Sequence, residues 1–568
     1  MAGTVIRRRV IATSLFAIAA IVLFAVYLRV SRTYPENSDE ANILLMSWDM
    51  LHGHLMLHGW FMSDVSFYTT ELPEYAVLES FLGLHADTAH VGAAITYTIV
   101  VLLAVVLARG KLSQVDRGEG MVRMLVAGGI MIAPQLGVGV FVLVLSVGHI
   151  GTAVPLLLCW IVIDRGDASP RTPLIDRGDA SPRTPLTDRG KRRWPEAVAV
   201  GVLFTWALIA DPLVLVAGII PLAGVCLLRV LRTGRGLPRL TGRSARRRAL
   251  LRACGYELAL TVASGAAYGL ATCVEGLLHY NGGYRVHSVG YQFVPVSLWP
   301  GHAWVTIQGW LAMFGAMPWG SAADVFFAVM HLTGVALVAW AMWLVCVRFG
   351  RHPSLVDQVL LVAIVLNVLL YVPSTMASGT DLNAREYALA LPYGAVLAAR
   401  TLGPSIRAAL PGRAALAYGV RRARLVRWIP ATLAGVMCCY LASLGYTAAQ
   451  PSAPAANQQL AAWLAAHNLT YGIGGYWQSS IVTLDSEGAV TVRAVYPGNL
   501  RRDWWESKHS WYQPGTHTAT FLVTENMPGF YNYWEPNSVA LAGFGRPSRE
   551  YTVGPYTIYV WQGNLLRG

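Results

Sequence analysis

Charged side chains are scarce in this sequence, and their scarcity excludes an ordinary soluble protein. Asp, Glu, Lys and Arg make up 13% of the 568 residues, hydrophobic residues make up 55%, and the mean hydropathy is +0.45. A soluble chain of this length cannot bury so much apolar surface in its own core, so a lipid bilayer must solvate part of it. The composition therefore indicates a membrane protein.

Cysteine is also rare, and none lies in a predicted outer loop. The sequence has no Cys-x-x-Cys pair. This distribution argues against an exterior held together by disulfides and against a zinc site of the Cys-x-x-Cys type. All seven cysteines lie in apolar stretches or at their edges, as small packing residues do: Cys159, Cys226, Cys254, Cys273, Cys346, Cys438 and Cys439.

Long apolar stretches recur along the chain and predict an α-helical polytopic membrane protein with about eleven transmembrane helices. Several stretches approach the roughly 20 residues that a helix needs to cross a bilayer. Three of them, at 150–163, 196–210 and 387–401, are short enough to be tilted, broken or re-entrant. The other eight lie at 11–30, 89–108, 122–147, 213–228, 254–278, 323–347, 356–373 and 429–446.

The basic residues predict the orientation of these helices. The net charge is +13, and 33 of the 44 Lys and Arg residues lie in segments on the same side of an eleven-span arrangement. The positive-inside rule assigns that side to the cytoplasm, with the N-terminus inside and the C-terminus outside, as in a multi-pass protein of the plasma membrane. No DNA- or RNA-binding motif accompanies the arginines, so nucleic acid is not an expected partner.

Two loops of the predicted transmembrane domain, residues 1–446, stand out by length. The inner loop 164–194 contains a tandem repeat rich in Pro, Asp, Gly and Ser, which predicts a disordered insertion. The first outer loop, 31–88, opens with the adjacent acids Asp39 and Glu40. Residues 41–61 predict a helix in the membrane interface with Trp48 and Trp60 as anchors, and an irregular segment follows over 63–75.

The last part of the chain, residues 447–568, predicts a small extracytoplasmic α/β domain. The pattern indicates a helix over 457–467, a hairpin formed by 480–484 and 489–495, and further strands at 519–524 and 551–561. Seven of the nineteen Trp residues fall in this domain. Aromatic faces suit sugar rings and a belt at the lipid headgroups equally well, so both interpretations stay open.

Together these features resemble the glycosyltransferase C superfamily, and in particular protein mannosyltransferases and lipid A aminoarabinose transferases. The resemblance rests on the architecture, on Asp39-Glu40 at the start of the first outer loop, on the interfacial helix after it, and on Tyr471-Gly-Ile-Gly-Gly-Tyr-Trp477 in the outer domain. The sequence departs from the pattern at Glu71-Leu-Pro-Glu74, where some relatives carry His-Pro-Pro or Lys-Pro-Pro.

The resemblance implies an inverting transfer of a sugar from a polyprenyl-phosphate donor to an acceptor glycan, lipid or protein on the outer face of the membrane. Such a reaction needs a carboxylate base, for which Asp39 is the first candidate and Glu40 the alternative. It also needs a cation for the departing phosphate, for which Arg385 is the first candidate and Arg285 the second.

Other outer residues are candidate substrate contacts. Asp64, Glu71 and Glu74 are the carboxylates of the first outer loop, and His149 lies in an outer turn, where it could line the pocket or cap a helix. Arg385 has an alternative interpretation as the ion-pair partner of Glu386 or Asp381.

No metal site is expected, although some relatives use a divalent cation. The pairs His54 with His58 and Asp49 with His52 are spaced for metal ligation on a helix, but such spacing alone is a weak signal. Two other functions remain open: a transporter or flippase for a lipid-linked or polar solute, and a non-catalytic glycan-binding membrane protein. Against transport, the sequence shows no internal repeat among its spans and few acids at mid-span.

Overall fold

A computed structural model describes most of the chain. The described ranges are 2–111, 115–145, 148–166, 194–236, 243–287, 291–352, 354–377, 381–410, 428–455, 457–496, 498–525 and 537–566. Nearly all of the tandem repeat lies outside these ranges, so the prediction of disorder there is not addressed.

Each of the eleven apolar stretches is largely helical, but they differ in length. Among the described residues, six helices are long and apolar enough to cross a membrane: Thr13–Ser31, Asp87–Arg109, Leu215–Gly236, Arg247–Tyr280, Ala322–Val347 and Ala431–Ala449. Trp194–Ala210 and Leu355–Tyr371 are shorter apolar helices. The chain is therefore a multi-pass membrane protein, while the count of eleven spans and their orientation stay predictions.

The helices of the membrane domain are α1 (Ala2–Ser31), α2 (Ser38–Leu51), α3 (Glu71–Leu82), α4 (Asp87–Arg109), α5 (Arg117–Met131), α6 (Val138–Val144), α7 (Ala153–Gly166), α8 (Trp194–Ala210), α9 (Ile220–Gly236), α10 (Arg243–Tyr280), α11 (Trp299–Met313), α12 (Ala322–Val347), α13 (Leu355–Tyr371), α14 (Ala390–Ala409) and α15 (Trp428–Ala449). A π-helical turn, Leu215–Ile219, leads into α9, and a 3-10 helix, Asp381–Tyr387, precedes α14.

The stretch predicted to span at 122–147 is broken into α5 and α6. Pro134 lies between the two helices and has no N–H to donate, and Gly137 adopts a φ of +77°, which L side chains rarely adopt. Helix α14 forms the centre of the bundle, where it packs against α4, α5 and α12 and is buried over most of its length.

The first outer loop contains two helices and a short strand; residues 63–70 are irregular as expected, but residues 71–75 are helical rather than irregular. Helix α2 ends at Leu51, so the expected helix over 41–61 is too long. Trp60 belongs to a short strand, β1 (Trp60–Met62), is 2% exposed and donates its indole N–H to Asp49 Oδ2, which excludes it as a membrane anchor. Helix α3 begins at Glu71, and Pro73 occupies its first turn, where a missing N–H costs nothing.

The C-terminal domain contains a five-stranded mixed sheet. Its strands are β3 (Tyr471–Gly474), β4 (Thr491–Ala494), β6 (Phe521–Glu525), β7 (Arg549–Val553) and β8 (Tyr556–Val560), in the order β4-β3-β6-β8-β7. Strand β3 is parallel to β4 and β6, whereas β6, β8 and β7 are antiparallel. Two further short strands, β2 (Arg285–Val286) and β5 (Ser507–Lys508), lie outside this sheet.

The helices of this domain partly match the sequence pattern. The predicted helix over 457–467 is confirmed as α16 (Gln458–Ala466), and α18 (Asn537–Phe544) precedes the β7–β8 hairpin. The predicted strand at 480–484 is wrong, because Ser480–Asp485 forms α17. Its Ile481 and Leu484 side chains are buried in the same apolar cluster as residues of α2, and this tertiary packing overrides the β-propensity of the β-branched residues.

Contacts between the first loop and the C-terminal domain place the candidate site. Strand β1 pairs with β2 in parallel and with β5 in an antiparallel arrangement, so one small sheet joins three distant segments. Ser38, the first residue of α2, donates a hydrogen bond from its hydroxyl to the backbone oxygen of Tyr476 in the C-terminal domain, at 2.6 Å. The N-terminus of α2 is thereby held against the segment that follows β3.

Candidate active site

A cleft of about 390 Å³ lies where the first loop meets the C-terminal domain. Its lining residues come from five separated parts of the chain: Asp39, Phe141, His287, Asn383, Arg385, Tyr476, Trp477, Tyr496, Asp503 and Trp505. It therefore brings together the first candidate for the base, Asp39, and the first candidate for the phosphate cation, Arg385.

The N-cap of α2 aims the two adjacent acids in different directions. The Asn37 side chain accepts a hydrogen bond from the Asp39 backbone N–H at 2.8 Å, and Glu40 Oε2 accepts one from the Asn37 N–H at 2.8 Å, which together form a capping box. Burial raises the pKa of Glu40 well above its usual range, and the neighbouring charge of Asp39 adds to the effect. Glu40 thus caps the helix, while Asp39 lines the cleft.

The carboxyl group of Asp39 has a partner on each oxygen. The Tyr476 hydroxyl lies 2.6 Å from Oδ1, and Nη1 of Arg385 lies 3.4 Å from Oδ2. These partners come from positions 437 and 346 residues further along the chain. The positive end of the α2 dipole favours a negative charge at this first turn.

Glu506 completes the arrangement behind Tyr476. Its Oε2 lies 2.6 Å from the Tyr476 hydroxyl and 3.2 Å from Nδ2 of Asn42. Burial raises the pKa of Glu506 to about 8, and the charge of Asp39 contributes. The Tyr476 hydroxyl has one proton, so it can donate a hydrogen bond to only one of the two carboxyl groups. The other contact needs a proton on a carboxyl group, and the raised pKa of Glu506 places that proton on Glu506 at neutral pH.

Arg385 projects from the 3-10 helix with 29% of its side chain exposed. Its neighbour Glu386 is 6% exposed and lies 3.2 Å from Nε2 of His149. Of the two alternative partners considered for Arg385, Glu386 is thus engaged by His149, and the side chain of Asp381 lies outside the described part. The guanidinium borders both Asp39 and the cleft.

His149 is clamped between two carboxylates. Its Nδ1 lies 2.8 Å from Asp211 Oδ2, which also accepts a hydrogen bond from Thr152 Oγ1 at 2.7 Å. Burial opposes protonation, but the charges of Asp211 and Glu386 outweigh it and raise the pKa of His149 well above its usual range. His149 therefore holds the segment that carries Arg385.

Asp64, Glu71 and Glu74, the other candidate acids of the first loop, lie in three different surroundings. Asp64 lines a small cavity next to Asp39 and Arg385, and burial together with the charge of Glu386 raises its pKa. Glu71 is 1% exposed and lies against Gly151, where the Cβ of any other residue would clash with the Glu71 carboxyl group. Glu74 accepts a hydrogen bond from Thr96 Oγ1 at 2.8 Å.

The structure thus brings Asp64 to a small cavity beside Asp39 and Arg385, but it does not bring Glu71 or Glu74 there. Burial raises the pKa of Glu71 to about 8 and that of Glu74 to about 7, so Glu71 is mostly protonated and Glu74 about half protonated at neutral pH. Each carboxyl group packs against another part of the bundle, which favours a structural role.

Arg285, the second candidate for the phosphate cation, lies apart from this arrangement. It is exposed on β2, with its guanidinium 5.9 Å from the centroid of the Phe61 ring. His287, two residues further on, does line the cleft, and its ring lies edge-on to Trp505 at 5.5 Å.

Sequence reasoning missed the residues of the C-terminal domain that surround Asp39. Tyr476 and Trp477 end the motif that was singled out, but nothing in the motif indicated a contact with Asp39. Trp505 and Glu506 lie in the segment before β5, and only the adjacency of aromatic and acidic residues could have drawn attention to them. Asp211, directly after the apolar stretch 196–210, is the partner of His149.

His54 and Asp49, which were considered as metal ligands, contact each other and further side chains. His54 lies beyond the end of α2, and its Nδ1 lies 2.9 Å from Asp49 Oδ1. Asp49 Oδ2 accepts hydrogen bonds from Lys508 and from Trp60. Within the described ranges, no group of three or more His, Cys, Asp or Glu residues is placed to hold a metal ion. The dependence on a divalent cation stays open.

Comparison with known proteins gives similarity in structure only. No family model and no curated protein matches the sequence. The crystal structure of ArnT from Cupriavidus metallidurans bound to undecaprenyl phosphate is similar at 14% identity, 96% coverage of this chain, 97% coverage of ArnT and a TM-score of 0.49. Its apo structure has the same identity and TM-score, with 96% of this chain and 98% of ArnT covered.

The Archaeoglobus fulgidus oligosaccharyltransferase, in complex with Zn and sulfate, is similar at 11% identity, with 96% of this chain and 73% of that chain covered and a TM-score of 0.45. Identities and TM-scores at this level transfer neither residue roles nor substrates to this chain.

Proposed function

We propose that this protein is a membrane glycosyltransferase that moves a sugar from a polyprenyl-phosphate donor to an acceptor on the outer face of the plasma membrane, with inversion at the anomeric carbon. The observation that carries the proposal is the cleft in which Asp39 lies 3.4 Å from Arg385 and 2.6 Å from Tyr476. A carboxylate beside a partly exposed arginine supplies both charges that such a transfer needs.

Asp39 is the proposed general base. It would accept the proton of the acceptor hydroxyl as the acceptor oxygen bonds to the anomeric carbon. A well-placed base contributes about 10²–10⁴-fold to a rate. Glu40 is a poor alternative, because one of its carboxyl oxygens caps α2 and burial raises its pKa, which disfavours the charged form that a base needs.

Arg385 is the proposed contact for the departing lipid phosphate. Breaking the bond between the anomeric carbon and the phosphate oxygen leaves a negative charge on the phosphate, and a guanidinium can bind two of its oxygens. The clamp formed by His149, Asp211 and Glu386 fixes the segment from which Arg385 projects. A fixed cation stabilises developing charge better than a mobile one, since no reorganisation is needed during the reaction.

The C-terminal domain supplies the walls of the cleft. Trp477 and Trp505 offer apolar faces of the kind on which sugar rings pack, and Asn383 and Asp503 offer polar groups for hydroxyls. This composition favours a sugar-binding role for these tryptophans over a position at the lipid headgroups.

The test uses membranes that contain the full chain and a panel of labelled polyprenyl-phosphate sugars, with an extract of acceptors. We expect release of free polyprenyl phosphate from one donor, and a loss of about 10²–10⁴-fold in Asp39→Asn. Glu550→Gln is the matched control, since Glu550 is an exposed carboxylate on β7. Parallel reactions with EDTA determine whether a divalent cation is needed.

Three results would overturn the proposal. Full activity in Asp39→Asn would remove the base assignment. Movement of the lipid across the membrane without chemical change would identify a flippase. Binding of a glycan with no release from any donor, by protein that is folded, would identify a non-catalytic binding protein.

A further inference from the structure

A second cavity, of about 520 Å³, lies at the opposite end of the bundle from the cleft. Helix α4 connects the two ends. Its N-terminal part packs against the first loop, where Tyr75 donates its hydroxyl proton to Ala89 O, and its C-terminal Arg109 lines the second cavity. A helix of 23 residues spans about 34 Å, so the two ends of α4 lie about the thickness of a membrane core apart. Nothing in the proposed reaction uses it.

The walls of this cavity are apolar and its mouth is basic. Phe16, Val106, Met124 and Ile161 supply apolar side chains from α1, α4, α5 and α7, and Phe16 is 42% exposed. Arg109, Lys111 and Arg165 supply three positive charges at the ends of α4 and α7. The basic loops predicted to face the cytoplasm begin at these same residues, which places the mouth at the inner membrane surface.

These three cations differ from other arginines at the same end of the molecule. Arg123 lies within 4 Å of Glu119, Arg400 pairs with Asp357 and Asp164, and Arg407 pairs with Asp116. In the part of the chain that the structure describes, no carboxylate pairs with Arg109, Lys111 or Arg165. Asp164 also lines the cavity, but one of its oxygens lies 2.7 Å from Arg400.

Apolar walls beside three basic residues favour the binding of an amphipathic anion. Cations near the C-termini of α4 and α7 are favoured by the helix dipoles, but the dipoles do not account for an apolar cavity beside them. A soluble anion would not use the apolar walls, and a neutral lipid would not use three cations. Basic pockets between helices at the cytoplasmic surface bind anionic lipid headgroups.

We propose that this cavity binds an anionic phospholipid of the inner leaflet, with its phosphate at Arg109, Lys111 and Arg165 and an acyl chain against Phe16, Val106 and Met124. The ligand is distinct from the polyprenyl-phosphate donor, which the outer cleft would bind. The lipid site can therefore be tested independently of the proposed sugar transfer.

The test titrates the purified, delipidated full chain with phosphatidylglycerol or phosphatidylcholine and counts bound lipids by native mass spectrometry. We expect phosphatidylglycerol to bind more tightly than phosphatidylcholine. Each cation near the surface contributes about a fivefold gain in affinity, so the triple variant Arg109→Gln, Lys111→Gln, Arg165→Gln should bind phosphatidylglycerol about a hundredfold more weakly. The double variant Arg348→Gln, Arg351→Gln is the matched control, because both arginines are exposed on a loop of the same predicted side.

A second variant separates the cavity from the charge. Val106→Phe keeps all three cations but reduces the space between α4 and its neighbours, and it too should lose tight phosphatidylglycerol binding. Thermal unfolding in phosphatidylcholine nanodiscs reports whether each variant remains folded. Equal binding of the two lipids by the wild type, unchanged phosphatidylglycerol binding in the folded triple variant, or an equal loss in the control would each overturn the proposal.

Discussion

Two arginines, one at each end of the bundle, differ in what surrounds their guanidinium groups. Arg400, at the end predicted to face the cytoplasm, is 8% exposed and donates to Asp357 at 2.6 Å, to Asp164 at 2.7 Å and to Leu107 O at 3.1 Å. Arg385, at the other end, lies 3.4 Å from Asp39 with 29% of its side chain exposed in a cleft.

The difference teaches how a structural arginine is distinguished from one that can bind a ligand. Both have carboxylate neighbours, so residue type and pairing do not separate them. The two arginines differ in how fully hydrogen-bond acceptors surround the guanidinium group. Acceptors from α4, α7 and α13 enclose Arg400, whereas Arg385 borders the cleft. Removing one partner of a buried ion pair leaves an uncompensated charge, so the two arginines should respond to substitution in different measurements.

The largest effect should follow Arg400→Ala. This change leaves Asp357 and Asp164 without their shared cation in a buried site, and we expect a loss of about 3–5 kcal/mol in the free energy of unfolding. The measurement is the thermal midpoint in detergent, compared with Arg351→Ala, in which an exposed arginine is lost. A midpoint equal to that of the control would show that the network at this end is dispensable.

The next effect should be on turnover rather than on folding. Arg385→Gln should lower the rate of polyprenyl phosphate release by about 10²–10³-fold, as does the loss of one fixed donor to a developing anion in other enzymes. Its thermal midpoint should stay near that of the wild type, because the side chain is partly exposed. Arg285→Gln is the control, since Arg285 is exposed on β2. A large loss of rate in Arg285→Gln together with a small loss in Arg385→Gln would assign the phosphate contact to Arg285 instead of Arg385.

The contrast between the two ends also shows which features the sequence could predict. Hydropathy located the long apolar helices, and the basic loops marked the end at which Arg400 lies, but α3 and α11 were not predicted as helices. Asp39 and Arg385 were singled out separately, as the base and the phosphate cation that the resemblance implies, and they lie 3.4 Å apart although 346 residues separate them. Their roles stay predictions, whereas the apolar stretches and the basic loops could be judged from composition without three-dimensional contacts.

Features that depend on packing across the chain escaped prediction. The Tyr476 hydroxyl meets Asp39 and Glu506 only because α2 docks on the C-terminal domain. The same docking makes 480–484 a helix despite its β-branched residues, and the small sheet of β1, β2 and β5 buries Trp60. Local sequence carries no information on these contacts, because the partner segments are hundreds of residues away.

A smaller effect should follow His149→Gln, which weakens the clamp that supports Arg385. We expect a loss of about 1.5–3 kcal/mol, the usual range for hydrogen bonds to charged groups. The pKa of His149 is raised above 6.5, so its contribution is complete below about pH 6.5 and is lost as the pH rises through the folded-state pKa. The pKa values of Asp211 and Glu386 are lowered, so the stability that these two carboxylates contribute is lost as the pH falls below about 4.

The measurement is therefore the difference in thermal midpoint between the wild type and His149→Gln across pH. It should be largest between about pH 4.5 and 6.5 and shrink at higher pH. A difference that does not change with pH would mean that His149 acts through packing and not through its charge. Arg400→Ala provides the contrast, since the guanidinium stays charged throughout this range.

The smallest effect should come from Glu506→Gln, and it should appear in the pH profile. The pKa of Glu506 is raised to about 8, so in the wild type ionisation above pH 8 places a second anion beside Tyr476, which has one proton to share with Asp39. We expect wild-type turnover to fall above pH 8 and the fall to be absent in Glu506→Gln, with rates at pH 7 within about threefold.

Stability provides an independent readout for the same residue. An acid with a raised folded-state pKa contributes stability below its unfolded pKa, about 4.5, and loses that contribution as the pH rises through 8. The thermal midpoint of Glu506→Gln should therefore rise relative to the wild type between these two values. A relative midpoint that is constant over this window, together with an unchanged alkaline fall in rate, would mean that Glu506 is ionised at neutral pH and that the second proton lies elsewhere in the cleft.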